Sequence, residues 1–260
     1  MIISHKYKFL FIGLPFSASS AISKELHLQY GGEAILRKHS LYYEFAKIAK
    51  KEERKYFVFA VLRNPMEIII TLYEKMKANT KGNFTNPELF IENGGHITKK
   101  DRAMFNFIQD KQATFQQYFS KFFNKPYDNL VSLTIHHCDY VIQYDNIAED
   151  YLFALRKVGA IRPRALPVAN KTTGKKLDII EYYTEDIKER AIFVFGPFLE
   201  KYNIPFPKEW GQIRISKKSV FQFKILSMLR KGYYRYFKKY SKKTGLKGTI
   251  YGSIERKKLS

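Results

Sequence analysis

The 260-residue chain holds one cysteine, Cys138, and one tryptophan. A single thiol excludes an intramolecular disulfide framework and any cysteine-rich zinc site, and it fits a reducing compartment. Long hydrophobic runs are missing: no stretch reaches the roughly 18 consecutive apolar residues that a membrane-spanning helix needs, so none is expected. The glycine-rich Walker loop is absent too, because Gly13 is not followed by Gly-Lys-Ser/Thr. Acids are few. Against 46 Lys+Arg there are 24 Asp+Glu, a formal net charge of +22.

That charge is unevenly spread. Residues Gly211 to Ser260 contribute +14, with Glu255 as their one acid, which leaves +8 for the first 210 residues. The balance favours anionic partners: nucleotides, sulfated or phosphorylated glycans, acidic lipids or nucleic acid. No recognised nucleic-acid motif accompanies it, so nucleic acid is not the expected partner. Two segments are expected, a domain over 1–210 and a basic amphipathic tail over 211–260.

The segment "KYKFLFIGLPFSASSAISKEL", Lys6 to Leu26, has two readings. A basic start, a short apolar run and small residues ending at Ala21 suit a secretory leader. Gly13 and Pro15 interrupt the run, however, and a retained strand, loop and helix is the favoured reading. Phe9 to Ile12 is a continuous apolar run, as in a strand buried on both faces, and Ala18, Ile22 and Leu26 recur at helical spacing. Phe57 to Leu62 is a second such run, stopped by Arg63-Asn64-Pro65; Ile68, Leu72, Tyr73 and Met76 mark the helix after it, with Pro65 in its first turn. Tyr140 to Tyr144 reads as a third strand, followed by a helix from about Asn146 to Val158 that Gly159 ends. Arg162 to Lys176 reads as loop and Asp178 to Tyr202 as mostly helical. Strands alternating with helices imply an α/β fold with a central parallel sheet flanked by helices, whose ligands bind beyond the carboxyl ends of the strands.

Two such ends carry unusual chemistry. In "LPFSASSA", Leu14 to Ala21, small residues allow backbone N–H groups to approach an anion, serines add hydroxyls, and a helix starts at the same point. The same letters also suit a plain strand-to-helix turn with serine caps. In "LRNPMEIIIT", Arg63 stands at a strand end with Thr71 eight residues on; a guanidinium forks onto phosphate and a hydroxyl caps it.

Taken together the two elements resemble the sulfotransferases that use 3′-phosphoadenosine 5′-phosphosulfate, and most nearly the carbohydrate sulfotransferases. Their loop reads roughly Pro-Lys-Thr-Ala-Gly-Thr-Ser, where this chain has Pro15-Phe16-Ser17-Ala18-Ser19-Ser20-Ala21; Arg63, Asn64, Pro65, Thr71 and Tyr73 match their second motif. The likeness runs from about Lys8 to Pro207 and includes Tyr144-Asp145-Asn146-Ile147. It implies a P-loop-like sulfotransferase fold and transfer of a sulfuryl group to a hydroxyl of a carbohydrate or glycolipid. It implies that Ser17, Ala18, Ser19, Ser20 and Ala21 hold the 5′ phosphosulfate, that Arg63 and Thr71 hold the 3′ phosphate, and that no metal takes part. Two departures stand out: Phe16 replaces the family's loop lysine, and Ile68 a second arginine. Lys38 and Lys24 are both candidates to supply the missing cation. A catalytically impaired relative that binds a nucleotide or polyanion is the alternative.

His39, in "LRKHSLYYEF", is the candidate base, because imidazole titrates near neutral pH and accepts a hydroxyl proton. His27 reads as structural. Adjacent His136 and His137, taken as strand neighbours, would face opposite ways. Lys171, Thr172, Gly174 and Lys175 are candidates to close over a nucleotide, or form a solvated basic loop. The aromatic residues of Asn79 to Asp128 suit either an acceptor wall or a helix core. In the tail, Phe221, Ile225, Met228, Tyr236 and Tyr240 keep helical spacing beside Lys224, Lys231, Arg235, Lys238 and Lys242. Three readings remain open for it: an anionic membrane surface, a glycan or other polyanion, or packing on the core. The expected location is cytoplasmic, with peripheral contact at the inner membrane surface as an option.

Overall fold

The structure is a computed structural model and describes residues 1–167, 178–238 and 251. Contacts group the chain into two units that interleave along the sequence: Met1–Arg63, Asn129–Lys171 and Gly245–Ser260 form the first, Asn64–Asp128 and Thr172–Thr244 the second.

The first unit holds a five-stranded sheet. Its strands are β1 (Ile2–Ser4), β2 (Phe9–Ile12), β3 (Glu33–Ala34), β4 (Phe57–Leu62) and β5 (Tyr140–Gln143), in the order β3-β1-β2-β4-β5. The three expected strands, β2, β4 and β5, are parallel. The sheet as a whole is mixed, not parallel, because β1 pairs antiparallel with both β2 and β3. Phe9 pairs with Phe57 and Phe59 with Tyr140. Asp139 fixes the β4–β5 register: Val58 N–H donates to its Oδ2 at 2.7 Å, and its own N–H donates to the Val58 carbonyl at 2.8 Å. Helices α1 (Ser19–Gln29), α2 (Tyr42–Ile48) and α6 (Ile147–Lys157) complete this unit. One sheet face, carrying Phe9, Phe11, Phe59, Val61 and Ile142, packs with Ile22 and Leu26 of α1 and Tyr151, Ala154 and Leu155 of α6. Tyr251 joins this cluster, its hydroxyl 2.9 Å from that of Ser23.

The second unit is helical: α3 (Pro65–Lys77), α4 (Lys99–Asp110), α5 (Phe115–Phe122), α7 (Glu185–Lys201) and α8 (Lys217–Gly232). Local chemistry sets the helix starts. Asn64 caps α3 by accepting from Met66 N–H, and Pro65 supplies a pre-set φ at its first position. Thr98 with Asp101, and Thr114 with Gln117, form capping boxes on α4 and α5. The aromatic residues of 79–128 are core: Phe84, Phe105, Phe115, Tyr118 and Phe119 are all buried. The Phe115 ring lies 4.9 Å from that of Tyr183 and 5.4 Å from that of Tyr73. Three buried tyrosines of this unit keep partners for their hydroxyls, Tyr73 donating to the Ala113 carbonyl, Tyr182 to Glu74 and Tyr183 to the Met66 carbonyl.

Two local expectations change. The helix placed from Asp178 begins at Glu185. His136 and His137 lie in a 3-10 turn, Ile135–His137, with ring centroids 3.9 Å apart, because a turn, unlike a strand, does not alternate its side chains.

Phe59 is fully buried on β4 against Phe9, Phe11 and Phe57. Phe59→Ala is therefore expected to lower stability by about 3–5 kcal/mol in urea unfolding. Burial, reinforced by Asp139, pushes the Cys138 thiol up to about 12. Near pH 8 the folded protein then presents far less thiolate than an ordinary cysteine. Iodoacetamide is expected to label Cys138 slowly in buffer and at the normal rate in denaturant.

Candidate functional site

Within the first unit, the carboxyl ends of β2, β4 and β5 converge on the loop between β2 and α1. Along Pro15 to Ser19 the backbone φ alternates in sign, with Phe16 at 60° and Ala18 at 52°. Alternation of this kind turns successive N–H groups to one side and forms an anion-binding concavity. Neither residue is glycine, so the conformation stores strain, about 1–2 kcal/mol at each left-handed residue. Helix α1 begins directly after the loop. Its cap position is Ala18, and no side chain caps it among the described residues. The first N–H groups of α1 and its positive dipole end are thus offered at the loop.

The serines divide their roles. Ser17 is buried and its hydroxyl donates to the Leu14 carbonyl at 2.7 Å, so its proton serves the loop itself. Ser19 is buried at the first helical position; Ser20 is exposed; Ala18 and Ala21 are half-buried.

Arg63 follows the last residue of β4 and is only 7% exposed. Its Nη1 donates to the Phe16 carbonyl at 3.0 Å, and its guanidinium carbon sits 4.2 Å from the centre of the Tyr144 ring. Tyr144 opens the turn after β5. The arginine therefore braces the loop from below and brings a permanent positive charge to it. Thr71 lies on α3 in the second unit and is buried.

His39 enters from a stapled turn. Arg37 N–H donates to Ser40 Oγ at 3.1 Å, Ser40 N–H to the Arg37 carbonyl at 3.2 Å, and Leu41 N–H to Glu44 at 2.7 Å, while the Arg37 guanidinium pairs with Glu44. This turn presses on the end of β2. A Cβ on Gly13 would lie 3.0 Å from the Lys38 carbonyl and 3.2 Å from Ser19 Cβ, so glycine is what lets the turn and the start of α1 close on the strand end together. His39 Nδ1 lies 2.7 Å from the Gly13 carbonyl. A carbonyl only accepts, so Nδ1 carries the proton and Nε2 is the basic nitrogen. The candidate base and the anion loop thus share one residue, Gly13.

Of the two candidate cations, Lys38 is half-buried in the turn, with its backbone carbonyl at Gly13, and Lys24 is exposed in the middle of α1. His27 is structural, its Nδ1 2.6 Å from the Gly32 carbonyl. The His137 ring stacks on Tyr42 at 4.4 Å, and burial, with His136 beside it, lowers its pKa. Lys171, Thr172, Gly174 and Lys175 lie outside the described residues. No pattern of residues marks the Ser17–Leu14 bond, the stacking of Tyr144 on Arg63 or the Gly13–His39 bond. Each joins groups whose pairing depends on the fold, although Gly13 itself stands directly after an apolar run.

Arg63→Ala removes a charge-assisted hydrogen bond and a ring stack, and is expected to lower stability by about 2–4 kcal/mol in urea unfolding. Arg63→Lys is expected to recover less than half of that, since an ammonium lacks the planar fork. No family model, curated protein or solved structure matches the chain.

Proposed function

We propose that the first unit binds a phosphorylated nucleotide at the Leu14–Ala21 loop and transfers a sulfuryl group from 3′-phosphoadenosine 5′-phosphosulfate to a hydroxyl of a carbohydrate or glycolipid. The observation that carries this reading is the Gly13 junction: a histidine with Nε2 as its basic nitrogen is fixed to the strand end from which the strained, side-chain-uncapped anion loop departs. An anion site and a base within one strand end are what hydroxyl attack on an anionic donor needs.

This reading gives each group a role. The loop N–H groups and the α1 terminus receive the phosphosulfate. His39 Nε2 takes the proton of the acceptor hydroxyl as its oxygen bonds to sulfur. The sulfur–oxygen bond to the phosphate breaks in line, and the electron pair stays on the leaving phosphate, whose charge faces α1 and, beneath the loop, Arg63. Lys38, adjacent to His39 in the chain, and Lys24 on α1 are the two candidates for the cation that Phe16 does not supply. The resemblance of Pro15 to Ala21 to the sulfotransferase loop supports the choice of donor, whereas Arg63, which the resemblance assigns with Thr71 to the 3′ phosphate, is given its place at the loop here because its Nη1 donates to the Phe16 carbonyl.

Calorimetric titration with adenosine 3′,5′-bisphosphate tests the binding half. A micromolar dissociation constant, about −8 kcal/mol, is expected for the wild type and for His39→Gln. In a transfer assay with labelled donor and a panel of oligosaccharides, His39→Gln is expected to lose a factor of about 10²–10⁴. No nucleotide binding by a folded wild type overturns the reading. Binding without transfer to any acceptor replaces it with a nucleotide-binding protein that lacks the chemistry, the outcome for which Phe16 is the motive.

A further inference from the structure

Helix α8 has a buried inner face that the fold uses and an exposed apolar outer face that it does not. The inner face carries Ser219, Phe223 and Ser227, all buried. It is pinned in place: Ser219 Oγ donates to the Phe193 carbonyl at 2.5 Å, Ser227 Oγ to Asp128 at 2.7 Å, and Arg230 pairs with Asp128 at 3.3 Å. Asp128 is a buried carboxylate, and rolling the helix would strand its charge. The other face therefore stays outward. On it, Phe221, Ile225, Met228 and Leu229 follow the i, i+4, i+7, i+8 spacing of a helical stripe. Phe221 and Met228 are each 64% exposed and Leu229 60%. Tyr233, Tyr236 and Phe237 extend the exposed apolar surface into the π-helical turn that follows.

A basic row runs beside the stripe. Lys217, Lys224 and Lys231 repeat every seven residues, and from Gly211 to Lys238 there are eight Lys+Arg and no acid. Between α7 and α8 lies a cleft of about 430 Å³ lined by Val220, Phe223 and Met228, by three lysines, Lys201, Lys224 and Lys231, and by one acid, Glu200. Of the three readings open for this segment, packing on the core is met by Phe223 and its neighbours and leaves Phe221 and Met228 unexplained. A glycan or nucleic acid would match the lysines and leave the apolar stripe in water. A bilayer containing anionic lipid matches both.

We propose that the outer face of α8 docks this protein on an anionic membrane surface: Phe221, Ile225, Met228 and Leu229 enter the headgroup–acyl boundary, and Lys217, Lys224 and Lys231 meet lipid phosphates. The cleft beside Lys201 takes the headgroup of one such lipid. This surface belongs to the second unit and does not depend on the chemistry proposed for the first.

Vesicle flotation of the full chain tests it, with vesicles of phosphatidylcholine alone and of phosphatidylcholine mixed with phosphatidylglycerol. The protein is expected to float with the mixed vesicles and not with the neutral ones. The double variant Phe221→Ser, Met228→Ser is expected to weaken this partitioning by about tenfold or more, with melting temperature and adenosine bisphosphate binding unchanged, since both side chains are exposed. Lys224→Glu with Lys231→Glu, a change confined to exposed charge, is expected to remove the preference for anionic lipid. Failure of the wild type to float with either vesicle overturns the proposal. So does full binding by the serine double variant, which would assign the attraction to charge alone.

Discussion

A buried guanidinium organises the candidate site. Arg63 is delivered by β4 to a place where water does not solvate it, so its donors must find acceptors within the protein. The Phe16 carbonyl is one of them. The left-handed φ at Phe16 is the conformation in which the loop meets that donor, and the second one at Ala18 brings the chain round into α1. The same alternation gathers the N–H groups that make the loop attractive to an anion. Strain in the loop, burial of the arginine and the aromatic face of Tyr144 are thus parts of one arrangement. It exists only because β2, β4 and β5 end at the same edge of the sheet.

Strands β2 and β4 were legible in the sequence because they are buried and so read as unbroken apolar runs, and the edge strand β5, only partly buried, was legible from Tyr140-Val141-Ile142. Helix α3 was legible from Asn64-Pro65 and the apolar spacing beyond it. Strands β1 and β3 were not, for a physical reason: they have three and two residues, too short for any period to register, and β3 consists of Glu33 and Ala34, neither a strand former. Their antiparallel pairing is what makes the sheet mixed. The loop from Leu14 to Ala21 and Arg63 were visible as chemistry, but not the bond between them, since a carbonyl leaves no mark in a sequence. Ser17 looked like an anion donor by type; its burial and its bond to Leu14 follow from loop closure, which composition does not encode. His39 was named by type and by likeness. What fixes its tautomer is Gly13, twenty-six residues away.

The second unit shows the opposite relation between pattern and place. Its aromatic residues suit a sugar-binding wall as well as they suit a core, and the structure puts Phe84, Phe105, Phe115, Tyr118 and Phe119 in the core. Along α8 the apolar stripe Phe221, Ile225, Met228 and Leu229 faces outward, and periodicity alone does not tell inward from outward. The small, hydroxyl-bearing Ser219 and Ser227 decide it. They lie four residues either side of Phe223, allow close approach to α7, and hand their protons to Phe193 and Asp128. Bulky Phe221 and Met228 are left on the solvent side as a consequence of that registration.

The replacement of a loop lysine by Phe16 bears on how the proposed chemistry is powered. An ammonium on a flexible stem has to be ordered around each bound phosphate, at a cost in side-chain entropy. Here the charge near the loop comes from a guanidinium already fixed by the Phe16 carbonyl and the Tyr144 ring, and from the uncapped end of an eleven-residue helix. Both are in place before any ligand arrives. Preorganised dipoles stabilise developing charge without reorganising during the reaction, whereas a guanidinium beneath the backbone acts through the loop instead of touching the leaving oxygen. In such an arrangement the loop conformation, more than any single side chain within it, carries the affinity for the anion, and the residues that matter most are the ones that keep Phe16 and Ala18 left-handed.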